Sequence, residues 1–174
     1  GIVSSSTMML VMTIISINMA IQPIIGFNYG AGLYCRVKET VIKAIRFAIM
    51  VATGGWLICM LIPGVVISIF NSDNAELRTA GVMGLRIYTA VLPVVGFQII
   101  ASSYFQAVGK AKLATFLSLL RQIIVLLPLI LLLPKFWGVE GVWIANPVSD
   151  MVAAVITFIF FRKELNKLNC VIPS

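Results

Sequence analysis

The sequence predicts an all-α, polytopic membrane helix bundle with five transmembrane helices. Three observations lead there. Of 174 residues, 60% are hydrophobic and only 11% charged, too few charges to coat a water-soluble domain. The charges gather in short clusters between apolar runs. Five of those runs reach the roughly 20 residues that a helix needs to cross a hydrocarbon core of about 30 Å. In lipid an isolated apolar strand leaves its backbone groups unsatisfied, so each run is predicted to be helical.

The first span covers residues 8–27 and carries no charge. It runs into the stretch QPIIGFNYGAG at 22–32, where Pro23 removes a backbone donor and Gly26 and Gly30, four apart, share one helical face. Small residues so spaced let another helix come close. Asn28 and Tyr29, with Gln22, bring polar groups to the end of the span. The second and third spans, 47–70 and 87–108, are uncharged, whereas the fourth, 113–133, contains Arg121 and the fifth, 141–161, contains Asp150. Residues 1–161 thus form a membrane domain and 162–174 a short polar tail.

Each span holds one proline, namely Pro23, Pro63, Pro93, Pro128 and Pro147. Proline is commoner in membrane helices than in soluble ones, yet one per span is the pattern of broken helices found where transporters bend. Orientation follows from the basic residues. Nine of them (Arg36, Lys38, Lys43, Arg46, Lys110, Lys112, Arg162, Lys163, Lys167) fall on one side and three (Arg78, Arg86, Lys135) on the other. The positive-inside rule makes the first side cytoplasmic, and with it the C-terminus. The first span then enters from outside, which with the missing initiator methionine predicts at least one further span upstream. The first charge is Arg36, so no basic segment precedes the first apolar run as a signal peptide requires.

The intramembrane charges are the sharpest functional signal. Arg121 lies about 12 Å from the cytoplasmic end of its span and Asp150 about 16 Å from the same side, at about 1.5 Å per residue. A lone charge at such depth costs about 2.5–3.5 kcal/mol on insertion scales, so the two are expected to pair. The pair reads either as a clamp between neighbouring helices or as a breakable cytoplasmic gate. An aspartate held ionised by arginine is a poor proton carrier. Asn18, Tyr88, Gln98 and Asn146 are candidates for a cavity wall, while bonding between helices accounts for each of them singly.

Several classes are excluded. The net charge of +7 is scattered among membrane-flanking clusters, not gathered on one soluble face, which argues against nucleic acid. The chain has no histidine, and Cys35, Cys59 and Cys170 are widely separated, so no metal site or redox pair is expected. An intramembrane enzyme would need a nucleophile with its base, paired carboxylates or metal ligands, and these are missing.

The ordered motifs QPIIGFNYGAG at 22–32, RVKE at 36–39, LRI at 85–87 with Pro93, YFQAVGKAK at 104–112, LLRQ at 119–122 with Pro128, and GVEGVWIANPVSD at 138–150 together resemble the C-terminal half of the multidrug and toxic compound extrusion (MATE) family. The resemblance implies twelve helices in two six-helix lobes, with these five spans as helices eight to twelve. It implies an antiporter of the cell membrane that exports organic cations or amphipathic drugs by alternating access, with a proton or sodium ion as coupling ion and no other cofactor. The N-terminal lobe and the bilayer would be its partners. The family also implies a coupling acid in the third span of some members; residues 87–108 contain none, so the coupling carboxylate is expected in the N-terminal lobe. Phe27 stands where the family more often has tyrosine. Two alternatives remain: a lipid-linked oligosaccharide flippase of the same wider superfamily, which would need more deep basic residues, and a non-transporting membrane scaffold.

Overall fold

The computed structural model describes residues 2–63, 65, 82, 85–87 and 89–168, without the side chains of 2–7, 136, 139, 140 and 143. Tyr88, most of the connection 71–86 and the tail beyond Leu168, with Cys170, lie outside the described residues. Among the described residues every regular element is helical. Helix α1 spans Ile2–Gly30 and α2 Tyr34–Leu61, joined by a tight turn. Gly32 sits there at φ 72°, a left-handed conformation that costs other residues about 1–2 kcal/mol. The turn is a Schellman motif: the Leu33 amide donates to Asn28 O at 2.9 Å and the Gly32 amide to Tyr29 O at 3.1 Å. The same motif recurs around Gly109 (φ 77°), where the Lys110 amide donates to Phe105 O at 2.8 Å and reverses the chain after α3, Leu92–Ala107.

Hydropathy locates the apolar windows, but the helices overrun or break them. Helix α2 begins at Tyr34, well ahead of residue 47, because Arg36, Lys38, Glu39, Lys43 and Arg46 are good helix formers. Glu39 and Lys43 add an i,i+4 ion pair at 2.6 Å. It ends at Leu61, one residue before the cap that precedes Pro63, as expected for a residue kept out of the helical region by the following ring. The window 87–108 is divided. A turn at Ala90–Val91 precedes α3, and Pro93 lies in the first turn of α3, where its missing amide costs nothing. Just before this turn the buried Thr89 hydroxyl donates to Leu85 O at 2.7 Å.

Helix α4, Ala111–Leu119, passes without interruption into a π-helical segment π1, Leu120–Leu126, and then into α5, Leu127–Leu165. Pro128 in the first turn of α5 cannot donate to Ile124 O, and the wide turns of π1 directly precede it. Gly138, at φ 55° and ψ −136°, divides α5 into two limbs, and the second returns alongside π1. Four helical stretches among the described residues are long and apolar enough to cross a membrane: Met8–Gly30, Tyr34–Leu61, Ala111–Lys135 and Ile144–Leu165. The prolines therefore act differently from one another. Pro23 and Pro147 lie inside helices, Pro93 and Pro128 in first turns, and Pro63 beyond a helix end.

Helix α2 is the spine of the bundle. Its buried face consists of Val37, Val41, Ala44, Ala48, Ala52, Gly55 and Cys59, a stripe at helical spacing made mostly of small side chains. Small residues let backbones approach, and this is how helices associate where lipid is as apolar as leucine. The approach can be measured at α3: a β-carbon on Gly96 would stand 3.1 Å from Ala48 O and 3.3 Å from Ala52 Cβ. Toward the α1–α2 turn the core is bulkier, with Ile25, Tyr104, Phe105, Leu117 and Phe161 packed together. Large apolar side chains such as Met19, Phe27, Met50 and Leu61 point out of the bundle, a coat suited to hydrocarbon.

Candidate functional site: a polar cavity beside a buried ion pair

A cavity of about 310 Å³ opens between α1, α3 and the α4–π1 segment. Apolar Val11 and Ile15 of α1 form one wall. The facing walls combine apolar Ile99 and Leu117 with polar Gln98, Ser102, Ser103 and Gln106 from α3 and Ser118, Arg121 and Gln122 from α4 and π1. Gln98, Ser102 and Gln106 are four apart, so successive turns of α3 put them on one face. This gives an otherwise hydrophobic helix a narrow hydrophilic stripe.

Arg121 connects the cavity to the interior. Its Nε lies 2.6 Å from Asp150 Oδ1 on the returning limb of α5, with the arginine side chain 34% exposed and the aspartate 10%. The neighbouring Ser149 hydroxyl donates to the Arg121 carbonyl at 3.2 Å, so side chain and backbone of the same residue are both held by one turn of α5. That carbonyl lies in the π-helical segment, where widened turns leave backbone acceptors open to outside donors. Asp150 does not line the cavity. Seen from the cavity, the pair presents its basic member.

The other candidate residues separate into groups. Gln98 lines the cavity, is 4% exposed, and its Oε1 is buried without a hydrogen-bond partner. Asn18 also has a buried, unpartnered Oδ1, but it and the half-buried Asn146 stand outside the cavity lining. Gln22 donates from Nε2 to Gln106 Oε1 in a long 3.5 Å bond that ties α1 to α3 at the cavity edge. Pro23 is exposed on α1. Of the paired glycines, Gly26 meets α3, where a β-carbon would stand 3.3 Å from Ala107 O, while nothing lies within 4 Å of the same position on Gly30. Asn28 donates to Ile24 O at 2.8 Å within its own helix, and Tyr29 stacks edge-on against Tyr34 at 5.5 Å. The amide-phenol pair therefore finishes the helix and braces the turn; it does not reach the cavity.

Two features escape a reading built on charges and amides within the spans. Ser102, Ser103 and Ser118 supply hydroxyls to the cavity, signalled only by small hydroxylated residues in apolar runs. Glu164, near the end of α5, is buried and pairs with Lys110 of the α3–α4 turn, while Lys167 stands 3.9 Å away. Glu164 lies just past the last apolar window and reads there as an ordinary surface charge. Among the described residues no group of three His, Cys, Asp or Glu side chains can hold a metal ion.

A model of the MatE family matches residues 1–132. The chain belongs to the MatE family. Members of this family are membrane transporters and not enzymes. Over 92% of its length it superposes on the MATE multidrug transporter DinF-BH, with 38% identity and a TM-score of 0.85. An outward-facing MATE family transporter of the MOP superfamily shares the fold over 96% of the chain, with 24% identity and a TM-score of 0.86. The FAD transporter of Shewanella oneidensis is 23% identical over 153 residues, 86% of this chain. The chain spans 36% of DinF-BH, 39% of the outward-facing transporter and 33% of the FAD transporter, or between a third and two fifths of each.

Proposed function

We propose that this chain is the C-terminal lobe of a secondary active antiporter that exports organic cations and other amphipathic compounds by alternating access, in exchange for protons or sodium. The observation that carries the reading is the cavity. A stripe of amides and hydroxyls on α3 faces an arginine in a π-helical break, all within a membrane bundle whose outer surface is apolar. A water-filled or ligand-filled space accounts for that lining, because polar side chains in a span otherwise face protein partners. The multidrug activity of DinF-BH and the FAD transport of the Shewanella oneidensis protein favour a substrate that is partly flat and apolar and partly polar.

Arg121 and Asp150 act in this reading as a gate on the cytoplasmic side of the cavity, with the C-terminus in the cytoplasm and the protein in the cell membrane. The coupling acid lies in the N-terminal lobe, because Asp150 is held by arginine. The whole protein, expressed in a host lacking its own efflux pumps, is expected to lower accumulation of ethidium. Unchanged accumulation across a broad panel of amphipathic dyes would refute the reading.

A further inference from the structure

The cavity has more to say about its ligand than that it is amphipathic. We infer that the Gln98–Arg121 cavity is a subsite for an oxyanion, so that the amphipathic substrates of the transporter include compounds that carry a carboxylate or phosphate beside their apolar part. The inference rests on the transporter reading and specifies the part of its substrate class that is not cationic.

Three observations carry it. The cavity lining holds one charged side chain, Arg121, and no carboxylate, since Asp150 is buried behind the guanidinium. Ser102, Ser103 and Ser118 add hydroxyl donors to the same wall. An oxyanion offers about four acceptor sites and takes such a set of donors, and arginine is the side chain suited to binding it along an edge. A cationic ligand head would meet no acid on this wall. The third observation is Gln98, more than nine-tenths buried, whose Oε1 has no partner. Unsatisfied buried acceptors are uncommon, and a hydroxyl or N–H of the same ligand would satisfy it. Asp150 is then a rival counter-ion: an anion in the cavity competes with it for Arg121.

The test uses the whole protein in detergent and two dyes with the same xanthene core and opposite charge, carboxyfluorescein and a cationic rhodamine ester, followed by fluorescence anisotropy. Arg121→Gln is expected to weaken carboxyfluorescein binding by about tenfold or more, the loss of one charge-assisted contact. Asp150→Asn removes the rival acid and is expected to strengthen it. The cationic rhodamine should respond in the opposite sense or not at all. A simple clamp between helices predicts that both variants lose both dyes together, and that result overturns the inference. Should Arg121→Gln fail to fold, Ser118→Ala decides: unchanged carboxyfluorescein affinity overturns the subsite, and a several-fold loss supports it. Displacement of the bound dye by riboflavin 5′-phosphate but not by riboflavin supports the oxyanion subsite, and equal displacement by both overturns it. Gradient-driven dye flux in vesicles separates the two readings. Charge-dependent binding with no flux sinks the transporter proposal, whereas flux with the reversed charge pattern sinks only the oxyanion.

Discussion

The ion pair between Lys110 and Glu164 fastens the α3–α4 turn to the end of α5, and its two members are buried to different extents. The Glu164 side chain is 9% exposed, the Lys110 side chain 37%, and the auxiliary Lys167 62%. Removing either partner of a fully buried pair costs about 3–5 kcal/mol, mostly because the other charge stays behind without compensation. Here the penalty must be asymmetric. With Glu164→Gln, Lys110 is released on a flexible stem already open to solvent, so the loss should fall to about 1 kcal/mol, that of a partly exposed pair. With Lys110→Met, the buried Glu164 carboxyl loses its nearer partner and keeps only the exposed Lys167 at 3.9 Å; about 3 kcal/mol is expected. Exchanging the charges, Lys110→Glu with Glu164→Lys, should recover part of the loss. The assay is reversible unfolding of the whole protein in mixed micelles, arranged as a double-mutant cycle. Equal losses in the two single variants, or a coupling energy within error of zero, would refute the reasoning.

Other consequences can be checked independently. Gly26→Ala should destabilise the protein by about 1 kcal/mol through its contact with Ala107 O, whereas Gly30→Ala should be neutral or slightly stabilising, since open space surrounds that position in a helix. Thermal melts of the two variants side by side test this. Gly109→Ala forces a left-handed residue into the α3–α4 turn, so a loss of about 1–2 kcal/mol is expected, with faster amide exchange at Lys110 as its local readout. A cysteine at Asn166, the cap of α5, should react with a membrane-impermeant maleimide only after cells are opened, if the basic clusters face the cytoplasm; labelling of intact cells would reverse the assigned orientation.

Much of the architecture was legible in the sequence because lipid simplifies the rules. An uncharged run of some 20 residues has few structural options, and a charge inside one has strong reason to find another. Arg121 and Asp150 fall at nearly matching depths on antiparallel neighbours, and in the structure they stand 2.6 Å apart. Hydropathy, however, measures affinity for hydrocarbon, not the path of the backbone. It gives no warning that α2 starts at Tyr34 among lysines and arginines, or that 87–108 breaks at Ala90–Val91. The glycines show the same limit. A spacing of four picked out Gly26 and Gly30 together, yet only Gly26 lies against a neighbour, while Gly32, two residues on, makes the turn. Which side of a helix faces the cavity depends on its neighbours. Asn18, Gln98 and Asn146 therefore looked alike in sequence, and packing alone admitted Gln98 to the cavity and left the others out.

The small-residue stripe of α2 also has a consequence for how this sequence can vary. Ala48 and Ala52 belong to the cluster that includes Ile14 of α1, and they also face Gly96 of α3. A single added methyl group would therefore have to be absorbed by two helices at once. On the opposite side, Phe47, Met50 and Leu57 are exposed. Drift should accordingly be lopsided: the outer face of α2 is free to exchange one apolar residue for another, and the inner face is limited by volume, position by position.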